Sequence, residues 1–214
     1  MKENNYTIKG GLYLVVDPSM PLQTLLTKLE SALQGGVDIV QVWNYWQPDT
    51  DKINIINTIA SLAHSYTVPV IINEEVELFK ATDTDGIHFD TIPGNFPALK
   101  SSLSKSCIIG ITCGNDFDKI EWAIEQQLDY ISFCSVFPSS SVNTCDLVSK
   151  EVMIKARAAT QMPIFLSGGI NTHNMEQLSD TGFNGIAVVS GIMAADDTAQ
   201  ASLDFKHAAN KING

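Results

Sequence analysis

Eight short apolar runs alternate with amphipathic segments along this chain, and each of the last two runs leads into a glycine-bearing turn. Together these features predict an α/β fold, a closed (β/α)8 TIM barrel that forms a single domain over residues 1–214. The runs are Leu12–Val16, Val37–Trp43, Val68–Asn73, Gly86–Phe89, Cys107–Thr112, Tyr130–Ser135, Pro163–Ser167 and Gly185–Ser190. Parallel strands buried on both faces read as unbroken apolar stretches of this kind. An open doubly wound sheet would need only about five or six strands and a G-x-G-x-x-G after the first, which is absent.

The intervening segments carry helical periodicity. Leu22, Leu25, Leu26, Leu29 and Leu33 share one face of the first, and Ile56, Ile59, Ala60 and Ala63 one face of the second. Phe117, Ile120 and Ile124 do the same later in the chain, and Asn171 reads as the N-cap of a helix carrying Met175 and Leu178. The longest loop expected is the serine-rich Pro138–Ser149, after the sixth run. No linker or low-complexity stretch divides the chain.

Composition narrows the function. A hydrophobic content of 44% in 214 residues suits one packed core and argues against disorder. No apolar run reaches the roughly 18 residues of a membrane span, and Met1–Asn5 shows no secretory h-region, so a cytoplasmic location is expected. Cys107, Cys113, Cys134 and Cys145 show no C-x-x-C spacing and read as buried thiols. A net charge of −11 argues against nucleic acid and anionic membranes as partners. It also makes the chain an unusual host for a highly anionic substrate.

In a (β/α)8 barrel, ligands meet the C-terminal ends of the strands, and the loops after strands 7 and 8 commonly hold a phosphate through backbone amides. Here those loops are Ser167-Gly168-Gly169-Ile170 and Val188-Val189-Ser190-Gly191. The rest of the mouth offers Gln41, Trp43, Asn44 and Tyr45, then Asn73, Glu74 and Glu75, then His88 and Asp90, Thr112 and Cys113, and Ser135 with Ser139, Ser140 and Ser141. Gln41, Trp43 and Tyr45 share strand parity and are expected to face one side. They would form either an aromatic platform for a heteroaromatic ring or a plug in an unused pocket. Glu74 and Glu75 read as one magnesium ligand or base beside a solvated neighbour. His88 reads as structural at a strand end; His64, His173 and His207 read as surface residues. The only lysines expected near βα loops are Lys52 and Lys150, and the single arginine, Arg157, falls in the sixth helical segment.

Residues 12 to about 200 resemble the thiamine phosphate synthase and thiazole tautomerase family. The matching stretches include Tyr13-Leu14-Val15-Val16-Asp17-Pro18, Gly35–Gln41, Val68–Asn73, Thr84–His88, Ile109–Thr112, Val136-Phe137-Pro138, Gly168-Gly169-Ile170 and Val188-Val189-Ser190, in family order. The resemblance implies a (β/α)8 fold and a magnesium-assisted coupling of hydroxymethylpyrimidine diphosphate to thiazole phosphate, with release of pyrophosphate. It places Gln41 and Asn73 near the pyrimidine diphosphate, with Thr112 where the synthase usually has serine. Ser139 and Ser141 match two threonines that help hold the thiazole phosphate, and Gly168, Gly169, Val189 and Ser190 match the backbone phosphate cradle. The partners implied are a small phosphorylated heterocycle and, as a homodimer, a second copy of the chain.

The departures from the family pattern concern charge. The arginine and lysine that usually follow the strand-2 glutamine are Trp43 and Tyr45, and the lysine after the Thr-Pro-Thr stretch is Val142. One metal-binding aspartate becomes Glu74, leaving Mg2+ with one of two family ligand positions; the second falls near Pro93, with Asp90 the nearest carboxylate. The tautomerase histidine is missing from Thr112-Cys113-Gly114-Asn115. Aromatic rings do not replace guanidinium on a departing diphosphate, so weak synthesis is expected. Two other readings stand beside it: a catalytically silent binder of thiazole phosphate or a similar phosphorylated heterocycle, and a tautomerase-like isomerase with Glu74 or Cys113 as base.

Overall fold

In a computed structural model of the chain, which describes residues 6–103, 106–138 and 146–213, eight parallel strands close into a barrel in sequence order. They are β1 (Gly11–Val16), β2 (Ile39–Val42), β3 (Val70–Asn73), β4 (Gly86–Phe89), β5 (Ile108–Thr112), β6 (Tyr130–Phe133), β7 (Ile164–Ser167) and β8 (Gly185–Val188). All eight predicted runs hold a strand: β1 begins one residue earlier than its run, β4 matches its run, and the other six are trimmed at one or both ends. Around them lie α1 (Leu22–Gln34), α2 (Lys52–Ser65), α3 (Val76–Ala81), α4 (Phe96–Ser102), α5 (Phe117–Glu125), α6 (Lys150–Ala159), α7 (Ser190–Met193) and α8 (Thr198–Asn213). The helix expected after Asn171 is only a 3₁₀ turn, Met175–Leu178. Its N-cap is Asn174, with no side-chain cap bond, rather than the expected Asn171, whose Oδ1 instead accepts from the amides of His173 (2.9 Å) and Asn174 (3.1 Å) in the preceding turn.

Strand alternation separates two cores. Leu12, Leu14 and Val16 point outward with Val40, Ile72, Ile111 and Phe133 and pack against Leu25, Leu29, Ile56, Ile59 and Ile120 of the helices. Tyr13, Ile39, Ile71, Ile108, Tyr130, Phe165 and Ala187 fill the barrel interior. The three rings among them have centroids 5.4–6.0 Å apart. They fit because glycine sits opposite them: a Cβ on Gly110 would enter the Tyr130 ring, and one on Gly185 the Phe165 ring.

A repeated clasp closes the N-terminal face of the barrel. Asp38, Asp85, Asp129 and Asn184 each stand just before an even-numbered strand. Their side chains accept from the amides of Leu12 (2.8 Å), Val70 (2.8 Å), Ile109 (2.7 Å) and Ile164 (2.9 Å) on the preceding odd strand. In return each clasp residue donates its own amide to the carbonyl of that same partner, at 2.8–2.9 Å. Bonds to a carboxylate contribute more than neutral ones, about 1.5–3 kcal/mol each. Arg157 lies at this face, donating to Asn184 Oδ1 and the Thr160 carbonyl. It therefore lies at the opposite end from the mouth.

Candidate active site at the mouth of the barrel

Polar side chains crown the inner core. Tyr13 donates its hydroxyl to Gln41 Oε1 at 2.6 Å and lies 2.8 Å from the Tyr130 hydroxyl. His88 Nδ1 is 2.9 Å from Tyr130 Oη, and its Nε2 is 2.8 Å from Thr112 Oγ1. Thr112 Oγ1 in turn meets Ser132 Oγ at 3.0 Å. Strands β1, β2, β4, β5 and β6 thus contribute to one continuous chain of hydrogen bonds. Burial pushes His88 down to about 4, so its imidazole is neutral, and holds both tyrosine hydroxyls well above their ordinary range.

At the β2–β4 side, Gln41 points inward while Trp43 and Tyr45 lie beyond the strand end, their rings 6.1 Å apart. Tyr45 is 59% exposed, so it does not plug the barrel. Asn73 donates Nδ2 to Asp90 Oδ2 (3.1 Å) and to the His88 carbonyl (3.4 Å). The two glutamates diverge. Glu74 sits at φ +64° and turns its Oε1 to the amides of Asp90 (2.5 Å) and Thr91 (3.3 Å). Glu75 turns away to Lys52 Nζ (2.6 Å) and Trp46 Nε1 (2.6 Å). Lys52 is thereby neutralised locally, and Lys150 is paired with Asp180 at 2.6 Å.

The expectation that only Lys52 and Lys150 lie near the loops is corrected by Lys119. Asp116 caps α5 by accepting the Lys119 amide at 3.0 Å. From that first turn the side chain reaches back, and its Nζ donates to the carbonyls of Asp90 (3.0 Å) and Thr112 (3.2 Å). His64, expected at the surface, is half-buried and holds Asp85 at 2.7 Å while stacking on Tyr6. Cys113 is buried, and desolvation raises its thiol to about 12; Cys107 rises to about 11. Neither is a nucleophile near neutral pH.

The β7–β8 side is built from main chain. Gly168 and Gly169 have φ of +86° and +66°, and Asn174 Nδ2 holds the Gly169 carbonyl at 2.8 Å. A Cβ on Gly168 would stand 2.5–2.7 Å from Ser135 atoms. The amides of Gly168, Gly169, Ser190 and Gly191 donate to no described residue. Val189, with φ −114° and ψ −88°, turns the chain from β8 into α7. Ser139, Ser141 and Val142 lie outside the described residues.

Four residues of this site are not singled out by the sequence pattern: Tyr13, Tyr130, Ser132 and Lys119. The tyrosines carry a usable signal, since both have inward strand parity and Tyr130 pairs in register with Gly110. Lys119 carries none, because only the Asp116 cap directs it to the mouth.

A family model described as thiamine monophosphate synthase matches residues 12–192. The chain is 30% identical over 187 residues to the thiamine-phosphate synthase of Aromatoleum aromaticum, covering 87% of this chain and 90% of that protein. It is 32% identical over 190 residues to that of Ruminiclostridium cellulolyticum, covering 87% and 89%. Among solved structures, the thiamine phosphate pyrophosphorylase of Pyrococcus furiosus superposes with a TM-score of 0.83 at 25% identity, covering 96% of this chain and 98% of that one.

Proposed function

The chain belongs to the thiamine monophosphate synthase family, with a function in thiamine biosynthesis, and on that premise we propose that it joins hydroxymethylpyrimidine diphosphate to thiazole phosphate as a slow synthase. The observation that carries this reading is the set of main-chain amides at Gly168, Gly169, Ser190 and Gly191 that donate to no described residue, which suits the phosphate of the thiazole substrate. Gln41, Asn73 and Thr112 surround the space over the inner core and suit a polar heteroaromatic ring. The slowness follows from the rings at Trp43 and Tyr45. Neither can offset the charge that develops on a departing diphosphate, and one lost stabiliser of that kind typically costs about a hundredfold in rate.

Among the described residues no group of three or more His, Cys, Asp or Glu could hold a metal. Magnesium needs less than that, because one or two carboxylates suffice when substrate phosphates and water complete the shell. Glu74 and Asp90 fit this requirement. The bonds from the Asp90 and Thr91 amides fix the Glu74 carboxylate beside Asp90 while leaving Glu74 Oε2 and Asp90 Oδ1 without a described partner. Bound there, Mg2+ would offset the charge on the diphosphate oxygens. Asn73 steadies Asp90, and the Lys119 ammonium, on the Asp90 carbonyl, adds the one mouth cation of the described residues that no described carboxylate pairs.

The aromatic replacements also favour a second reading, a silent binder of thiazole phosphate. The isomerase reading loses support at Cys113, because burial keeps its thiol protonated near neutral pH and leaves no thiolate to act as a base. Turnover of both substrates with Mg2+, followed as thiamine phosphate formation and set beside calorimetry of each substrate alone, separates the readings. Slow but sustained product is expected. Tight binding of thiazole phosphate with no product would put the silent binder in its place.

A further inference from the structure

Tyr13 and Tyr130 touch the space above the inner core only through Gln41 and His88, yet the hydrogen bonds between them leave little freedom. The Tyr13 Oη to Gln41 Oε1 distance of 2.6 Å is that of an O–H···O bond and is short for N–H···O. The amide oxygen therefore accepts the one proton Tyr13 has. Tyr13 Oη must then accept from Tyr130 at 2.8 Å, and Tyr130 Oη from His88 Nδ1–H at 2.9 Å. On the far side of the ring, His88 Nε2 meets Thr112 Oγ1, which meets Ser132 Oγ in turn. Every proton from His88 Nδ1 through Tyr130 and Tyr13 points towards Gln41.

This direction has a consequence at the mouth. Gln41 is only 6% exposed, and its Nε2 donates to no described residue. No fully buried side-chain nitrogen or oxygen among the described residues lacks a partner. The amide nitrogen therefore opens onto the mouth. Asn73, one strand over, has the opposite sense: its Nδ2 is taken by Asp90 and the His88 carbonyl, which leaves its Oδ1 outward. A donor on β2 and an acceptor on β3 stand ready for a ring that carries an acceptor nitrogen and an amino group.

We propose that Tyr13 and Tyr130 are positioning residues, whose one-way chain of hydrogen bonds locks Gln41 with its NH2 towards the mouth and so selects an aminopyrimidine edge. The inference rests on the synthase reading for the identity of the ring, but not for the direction of the protons. Long-range ¹H–¹⁵N spectra of the unliganded wild-type protein test that direction, with the His88 signal identified by its loss in His88→Gln. A proton on Nδ1 is expected; a proton on Nε2 overturns the proposal.

Tyr130→Phe and Tyr13→Phe test the consequence, since both keep the ring and remove one hydroxyl. Calorimetry with hydroxymethylpyrimidine phosphate should show about a tenfold weaker Kd for each variant, with thiazole phosphate within about twofold of wild type. A structural role alone would weaken both ligands together, and that result, or no change in either, overturns the proposal. Should one variant fail to fold, the other carries the same comparison. If wild-type protein binds neither compound, the synthase reading fails, and the His88 tautomer still decides the direction of the chain.

Discussion

Among the described residues, the free polar groups at the β7–β8 side of the mouth are main-chain amides of Gly168, Gly169, Ser190 and Gly191; at the β2–β4 side they belong to the side chains of Gln41, Asn73, Glu74 and Asp90, beside the rings of Trp43 and Tyr45. The two sides answer differently to sequence change. A main-chain donor survives any substitution that keeps the local φ and the space around it. At Gly168 and Gly169 both conditions are strict, since φ is positive and Ser135, Phe137 and Pro138 press on the missing Cβ. A side-chain site has no such protection, because the barrel closes equally well around arginine or tryptophan at position 43. A chain about 30% identical to its relatives can therefore keep the first half while the second changes its charge.

The largest expected effect comes from restoring that charge. Trp43→Arg combined with Tyr45→Lys should raise synthase turnover about a hundredfold or more, while thiazole phosphate affinity stays put. Tyr45 is exposed and Trp43 only half-buried, so stability should change by less than about 1 kcal/mol. Steady-state rates beside calorimetry give both numbers. Unchanged turnover would mean that the two halves differ for a reason other than these cations.

The opposite experiment attacks the main-chain half. Gly168→Ala forces a Cβ against Ser135 in a left-handed backbone, which should cost about 2–3 kcal/mol in stability and at least about tenfold in thiazole phosphate affinity. Gly94→Ala is the control: nothing lies within 4 Å of its added Cβ, so melting and binding should both stay near wild type. Equal behaviour of the two variants would remove the steric basis of the cradle.

How far the sequence speaks for each half follows from the same contrast. Strand runs and glycine turns are local patterns, so all eight strands and the β7–β8 turns are legible in the order of residues alone. The clasp at the N-terminal face is not, because its four members are ordinary residues until β1, β3, β5 and β7 are set beside them. The divergence of Glu74 from Glu75 is half legible: adjacent carboxylates cannot both face one site, but which one turns depends on Lys52 and Trp46 arriving from the previous loop. The Tyr13–Tyr130 link spans 117 positions, a separation no periodicity reports.

Lys119 supplies the smallest test and the one that asks whether the β2–β4 half has replaced any of its lost charge. Its ammonium bridges the carbonyls of Asp90 and Thr112, so part of its donor capacity is taken, yet its charge remains beside Glu74 and Asp90. Lys119→Met keeps the aliphatic stem and the Asp116 cap on the backbone amide while removing that charge. Because the group is partly exposed, the stability loss should stay below about 1 kcal/mol. Affinity for pyrophosphate in the presence of Mg2+ should fall about tenfold, the effect of one charge in a screened setting. Thiazole phosphate binding should not move. A loss shared equally by the two ligands would show that the ammonium serves the whole mouth, and the division into a main-chain half and a side-chain half would then describe construction without describing function.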